Sequence, residues 1–465
     1  MEFWRVKEIS KWFVKPKYSV SESKKPYHLG PLDLAMLSFH YIQNGLLFSK
    51  PSHLNGHEFS IDSFLESLKE SLSHTLIHFY PLAGQLVIQV DEAKHECCVF
   101  VDCNKGPGAQ FSHATALDIT VADVLSPNND IPLIVASFFY YNEPEVAVNY
   151  DGHFKPLLSV QVTELLDGVF IACSINHAIA DGTAYWHFWN VWSEIHRAKD
   201  KGYLIPVSRL PIHNRWFPDG CVLPITLPFT RPEEFIRRFD TPQLREKVFH
   251  FSSDSINTIR AKANKESTGS SMMISTFQAL SALVWRSIVR ANCLPHDQIL
   301  YNYMFASNRH RLNPPLPQNY FGTCIKGITT KTTAGELLKN NLGWAALLLH
   351  QSVVSLTDKA VREFVKEWLE SPYCYHHRDL HDYNTVAMEH SPRFNMYGNE
   401  FGIGKPIAVR GGRGNKAVGV VNAYPGYQGT GSVDLEICLP PDSMRALQTD
   451  QEFMAAVSSP PKLIL

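Results

Sequence analysis

The sequence predicts an α+β protein of two domains or one large bilobed unit. Three observations carry that expectation. At 465 residues the chain is too long for one ordinary hydrophobic core. Period-two and period-3.6 runs of apolar residues alternate in both halves, the pattern of strands mixed with helices. Between the halves, from about 198 to 230, "KDKGYLIPVSRLPIHNRWFPDGCVLPITLPFTRP" loses both periods and fills with prolines. Such a stretch reads as a crossover between domains. The expected division is residues 1–200, a long crossover loop at 201–230, and residues 231–465.

The elements follow in order. Segment 61–79, "IDSFLESLKESLSHTLIHF", places apolar residues at 61, 64, 65, 68, 72, 76 and 79, one face of a helix, with Ser60 positioned to cap it. Pro81 and Gly84 break it. "LLSVQVTELLDGVFIACSI" predicts a hairpin around a two-residue turn at Asp167-Gly168. Its second run, 169–175, is almost wholly apolar, so both faces are expected to be buried. After Gly182, helical spacing resumes at Ala184, Tyr185, Phe188, Trp192 and Ile195. The stretch between, "SINHAIADG" at 174–182, therefore falls in a short strand-to-helix connection, where functional side chains often project. In the second half, "SINTIRAKANKE" and "SMMISTFQALSALVWRSIVRA" predict helices. "GSVDLEICLP" predicts a half-buried strand with Val433, Leu435, Ile437 and Leu439 on one face.

Composition narrows the function classes. Hydrophobic residues at 45 % and charged residues at 19 % describe a globular chain, not a disordered one. Basic and acidic residues nearly cancel, 43 against 45, and form no basic stripe, so nucleic acid is not an expected partner. The nine cysteines are odd in number and scattered without a C-x-x-C pair, and Cys173 lies inside an apolar run. Reduced thiols in a reducing compartment fit that pattern. No window reaches the ~18–20 apolar residues of a membrane span. "MEFWRVKEISKWFVKP" lacks the apolar stretch of a signal peptide, and "PPKLIL" matches no lipidation or retrieval signal. The expectation is a cytoplasmic monomer with no membrane partner.

Chemistry concentrates at His177 and Asp181. A metal site there wants a second histidine at helical spacing or a third ligand nearby, and the loop supplies Ile179 and Ala180 instead. No metal is expected. The local sequence leaves His177 two roles, a general base at the mouth of a cleft or a satisfied core histidine. Asp181, after a tight turn, reads as a brace that faces away and pairs with an arginine. Other motifs fail on context. "GRGNKA" at 412–417 fits a dinucleotide fingerprint but is followed by a strand pattern rather than a helix, so it reads as a glycine-rich turn. "GIGKP" at 402–406 has Pro406 where a P-loop needs Ser or Thr. No G-x-S-x-G occurs, against an α/β-hydrolase. "YCYHHRDLHD" at 373–382 could set His377 and His381 on one helical face, but it reads as a solvated loop or helix.

Taken together, these residues resemble the plant BAHD acyltransferases, which move an acyl group from coenzyme A to an alcohol or amine. "INHAIADG" resembles that family's H-x-x-x-D-G motif. "NEFGIGKP" occupies the place of its D-F-G-W-G-K-P signature. "LSHTLIHFYPLAGQL", "ISTFQALSALVWRS" and "NRHRLNPPLPQNYFG" are similar to its other segments, in the same order, so the resemblance spans nearly the whole chain. "HLGPLDLAMLSFHYIQNGLLF" and "HSPRFNMYGNEFGIGKP" look like a subgroup rich in uncharacterised acetyltransferases.

The resemblance implies two similar chloramphenicol-acetyltransferase-like domains, with mixed sheets flanked by helices and joined by a long crossover loop, around a channel entered by CoA from one face and the acceptor from the other. It implies His177 as the general base, Asp181 with Gly182 and Arg309 as structural support, and Glu400, Gly402 and Gly404 as a second structural signature away from the chemistry. His390 and Ser391 fall where acceptor-pocket groups lie. Acyl-CoA is then a co-substrate, most simply acetyl-CoA, with no permanently bound cofactor, and the acceptor is a small-molecule alcohol or amine. Glu400 stands for Asp, Ile403 for Trp, Thr323 for Asn and Gln85 for Arg. The longer Glu400 implies an ion pair re-formed with shifted geometry, and Ile403 removes an aromatic ring and its N–H donor. Two other readings use the same scaffold: a CoA-independent lyase or acyl-transfer reaction, and a weakly catalytic binding protein.

Overall fold

The computed structural model describes residues 6–54, 57–126, 129–141, 146–200, 207–238, 242–267, 273–429 and 431–459. The extreme ends read above for targeting signals, 1–5 and 460–465, lie outside the described residues, as do 201–206 of the crossover. The first half supplies strands β1 (Lys7–Val14), β2 (Ile42–Ser49), β3 (Ala109–Ala116), β4 (Leu158–Leu165) and β5 (Gly168–Ile175). The second supplies β6 (Arg245–Phe251), β7 (Ile299–Ser307), β8 (Ile325–Thr333), β9 (Thr385–Glu389), β10 (Ala408–Gly411), β11 (Val420–Pro425) and β12 (Val433–Leu439). They form two six-stranded sheets, ordered β1-β3-β4-β5-β2-β10 and β6-β12-β11-β9-β7-β8. Both are mixed. The first is parallel at β3/β4, the second at β7/β9 and β9/β11, and the other pairs are antiparallel. This is the two-domain α+β architecture expected.

The sheets are not strictly divided between the halves. β10 leaves the second half to pair with β2, with Ala408 opposite Leu47. The chain therefore crosses back, and the first sheet is complete only with a strand from beyond residue 400. β5 lies between β4 and β2 with every residue buried, which is why its sequence is apolar on both faces.

The longer helices are α1 (Ile61–His78), α2 (Gly182–Asp200), α3 (Ser253–Glu266), α4 (Thr276–Asn292), α5 (Leu342–Val354) and α6 (Asp358–Glu370). The Ser60 hydroxyl caps α1 by accepting the Ser63 N–H. Helices α1 and α2 pack together and carry Leu68, Leu72, Tyr185, Trp189 and Trp192 into the first core. A separate core in the second half is filled from α3, α4 and α5 and from β12.

Four expectations need correction. The β4–β5 turn centres on Leu166-Asp167, one residue early, because Glu164 pairs with Val169. Gly168 is needed for space: a Cβ there would sit 2.4 Å from Val121 Cγ2, while the Asp167 carboxylate accepts the Val121 N–H at 2.7 Å. Helix α4 starts at Thr276, not at Ser271. Ser271 and Met272 lie outside the described residues, and Ser275 and Gln278 form a capping box that fixes the start. Strand β12 is not half-buried. Its second face carries Glu436 and Cys438, both fully buried, because β12 is flanked by β6 and β11 and Lys416 supplies an ion pair to Glu436. Finally, "YCYHHRDLHD" is not solvated, since His377 and His381 are both buried.

Candidate active site

The loop 176–181 leaves the buried end of β5 and enters α2. Its shape is set by side chains rather than by the sheet. The Asn176 amide donates to the Asn149 carbonyl at 2.7 Å, and its oxygen accepts the Ala178 N–H at 3.1 Å. Asn149 returns the contact, its Oδ1 accepting the His177 N–H at 2.6 Å and its Nδ2 donating to the Met36 carbonyl at 2.8 Å. These bonds satisfy backbone groups that no strand or helix takes up. They leave His177 half-buried, with both neighbours buried.

Asp181 closes the loop. One carboxylate oxygen accepts the Ala184 N–H at 3.0 Å, the bond of a helix N-cap, so Asp181 starts α2 with Gly182 as its first residue. The same carboxylate takes Arg309 in a bidentate pair, at 2.6 and 2.9 Å, and accepts the Cys324 N–H at 2.9 Å. Both partners are buried. Burial raises the Asp181 pKa, but the Arg309 charge and these hydrogen bonds outweigh it and hold the carboxyl below its ordinary value. Both partners are therefore charged, in the two-pronged geometry that suits arginine and carboxylate.

Burial pushes the His177 pKa below its ordinary value of 6.5, opposed by its own carbonyl and by the charges of Asp181 and Glu389. Its Nδ1 is buried and has no hydrogen-bond partner among the described residues.

Other imidazoles stand in electrostatic reach. His377 stacks on His40 with centroids 4.1 Å apart, and His381 stacks on His377 at 5.3 Å. Burial holds His377 well below 6.5, reinforced by His40, His381 and His177. His390 lies against Tyr424 at 5.5 Å in a left-handed conformation, φ 61°, uncommon for any residue but glycine. Burial lowers its pKa to about 4, so it too is neutral. Ser391 follows it, but its Oγ accepts the Arg393 N–H at 3.3 Å. Of the residues singled out in the sequence, the structure joins Asp181 to Arg309 and brings His390 and His377 into electrostatic reach of His177. Asn149 and Glu389, which no motif marked, stand near it as well. For His377 the signal was present in "YCYHHRDLHD" and was read as surface. Among the described residues no group of three or more His, Cys, Asp or Glu side chains is arranged to hold a metal ion.

The stretch 400–404 lies elsewhere. Phe401 packs on Trp192 at 4.7 Å and Trp189 at 5.9 Å, and the Glu400 carbonyl accepts the Ser193 hydroxyl, so the segment is fastened to α2. Ile403 is buried in the same core. Gly402 and Gly404 have φ of 78° and 91°, which a side chain resists. The ion pair expected at Glu400 does not form: among the described residues its carboxylate has no cationic partner, since the segment is held by ring packing and backbone. A cavity of about 1080 Å³ lies beside the first sheet. Gln110, Gln161, Tyr140 and Tyr141 line it, and it reaches Gly411 and Lys416. His177 is not among its lining residues.

The chain matches the model of the Transferase family over residues 4–454. It is 34 % identical over 449 residues to an uncharacterised acetyltransferase of Arabidopsis thaliana, covering 96 % of this chain and 98 % of that protein. It is 34 % identical over 460 residues to the BAHD acyltransferase DCR of Arabidopsis thaliana, covering 97 % of this chain and 92 % of that protein. Its fold is similar to the crystal structure of F. sporotrichioides TRI101 complexed with coenzyme A and T-2. That match has a TM-score of 0.71 at 16 % identity and covers 93 % of this chain and 98 % of the other.

Proposed function

The chain belongs to the Transferase family of BAHD acyltransferases and is an acyl-CoA-dependent acyltransferase, and from that premise we propose its reaction and the residues that carry it. An acetyl group passes from acetyl-CoA to the hydroxyl or amine of a small molecule of plant specialised metabolism, with His177 as general base. The observation that carries this reading is the His177 imidazole, kept neutral by burial and set on a loop that Asn149, Asp181 and Arg309 hold rigid. The acetyl donor draws support from the acetyltransferase relative, and CoA from the structural neighbour's bound coenzyme A. The odd, scattered set of nine cysteines supports a cytoplasmic setting, and we place the reaction there in a monomer.

Nε2 of His177 takes the acceptor proton as the acceptor oxygen or nitrogen attacks the thioester carbonyl carbon. The tetrahedral intermediate collapses, the C–S bond breaks, and the imidazolium returns the proton to the CoA thiolate. General-base assistance supplies roughly 10²–10⁴-fold. Asp181 and Arg309 support the loop, and Gly182 opens α2 directly after Asp181. Glu400, Gly402 and Gly404 keep the signature segment on α2. His390 and Ser391 face the acceptor, with the neutral His390 ring able to donate one hydrogen bond and accept another.

Thiol release from acetyl-CoA, hexanoyl-CoA and p-coumaroyl-CoA against a mixture of primary alcohols and amines tests the donor. Acetyl-CoA is expected to turn over fastest. A larger donor outrunning it overturns the acetyl assignment, and product formed without any CoA ester replaces acyl transfer with the lyase reaction.

A further inference from the structure

A second buried ion pair stands on the other side of the same loop. Arg215, from the crossover, donates Nη1 to Asp33 Oδ1 at 2.6 Å and Nη2 to the Ile179 carbonyl at 3.1 Å. Asp33 Oδ2 also accepts the Gly30 N–H at 2.8 Å. Arg215 and Asp33 are 8 % and 1 % exposed. Two buried pairs beside one loop is an unusual expense, because each strips two ions of water and apolar packing would serve stability as well. What the pairs supply in addition is fixed position.

They meet at residues 322–324. The Thr323 N–H donates to Asp33 Oδ1 at 2.9 Å, and the next amide, Cys324 N–H, donates to Asp181 Oδ2 at 2.9 Å. The Gly322 carbonyl accepts from Arg309 Nη2 at 3.0 Å. A Cβ on Gly322 would fall 2.3 Å from Arg215 Nη1, so only glycine lets the backbone come this close. Three consecutive residues are thus tied to both carboxylates and one of the arginines. The one side chain they direct at the active-site loop is that of Thr323, whose hydroxyl donates to the His177 carbonyl at 2.7 Å.

We propose that Thr323 is a positioning residue for His177. Its hydroxyl holds the His177 carbonyl in place, and with it the backbone from which the imidazole meets the reactants. The Arg309–Asp181 and Arg215–Asp33 pairs act through Thr323 by fixing its backbone on both sides. The base thus gains the orienting third group that a nucleophile–base pair requires, supplied by a threonine 146 residues away. The proposal rests on the reading of His177 as the base.

The test uses the full chain with 15N-labelled histidine. The His177 signal is identified by its absence in His177→Ala, and Thr323→Val and Thr323→Ser are compared with the wild type. The ring-nitrogen shifts report the setting of the ring and need no acceptor. Thr323→Val is expected to move the His177 ring signals from their wild-type positions, and Thr323→Ser to keep them there. With acetyl-CoA and benzyl alcohol as probes, Thr323→Val is expected to lose on the order of 10–100-fold in kcat at a nearly unchanged KM. Thr323→Ser is expected to recover the loss. A Thr323→Val protein with unaltered His177 ring shifts overturns the proposal. So does a Thr323→Val loss that lies wholly in KM or that serine does not repair. Full turnover by His177→Ala removes the general base instead, and the ring-shift comparison still decides whether Thr323 sets the ring.

Discussion

His177 can accept a proton only while it is neutral, and burial already favours that form. A base needs its deprotonated state, and the pKa is displaced downward, so kcat/KM should stay level from neutral pH into mild acid. It should fall only below the ordinary histidine value of 6.5, with protonation. A pH profile of thiol release checks this, and an acid limb above 6.5 would count against the burial argument. Asp181 serves a different end. Asp181→Ala strands a buried Arg309 and removes the cap of α2, and should cost about 3–5 kcal/mol in a urea titration. At this scale the motif residues were legible because one short stretch carries both His177 and Asp181. Asn149 was not, since it reaches the loop from a distant part of the chain and no local period marks it. Thr323 stood out only as a departure from a motif, and His377 only in a stretch read as solvated.

The elements were legible where one face decides them. Helix α1 and its Ser60 cap, the buried strand β5 and the apolar stripe of α2 all follow from spacing. The sequence misled where a partner arrives from elsewhere. The second face of β12 looks polar until Lys416 is placed against Glu436 and Glu246. Strand β10 is four residues of ordinary composition, and only β2 explains it. On β2, Gly45 lies under the ring of Phe170, where a Cβ would sit 2.2 Å from Cε1. Gly45→Ala should therefore overpack the β2–β5 contact and cost roughly 1–3 kcal/mol, read as a lower urea midpoint at unchanged slope. An unaffected midpoint would mean that the two strands separate more easily than their full burial indicates.

For the molecule as a whole, neutral buried histidines link stability to pH. His40, His213 and His390 each have a pKa lowered from 6.5 to about 4, chiefly by burial. Between those values the unfolded chain binds protons that the folded chain refuses, so stability rises with pH across the window. It should be fully present above about 6.5 and lost progressively as pH falls toward about 4, which melting curves at half-unit steps would reveal. Replacing His213 with Gln should flatten that dependence. The same neutrality serves the reaction, because uncharged rings around His177 do not oppose the imidazolium it becomes. The two-domain plan was legible in length and alternation, while the strand exchanged between sheets was not.

The account stands on one base performing acyl transfer. Its most direct test is the rate of CoA thiol release from acetyl-CoA by His177→Ala beside the wild type, with the same alcohol and amine mixture and with melting temperatures matched. The account predicts a loss of roughly 10²–10⁴-fold in the variant with its fold intact. Release at the wild-type rate by a folded His177→Ala protein would contradict it.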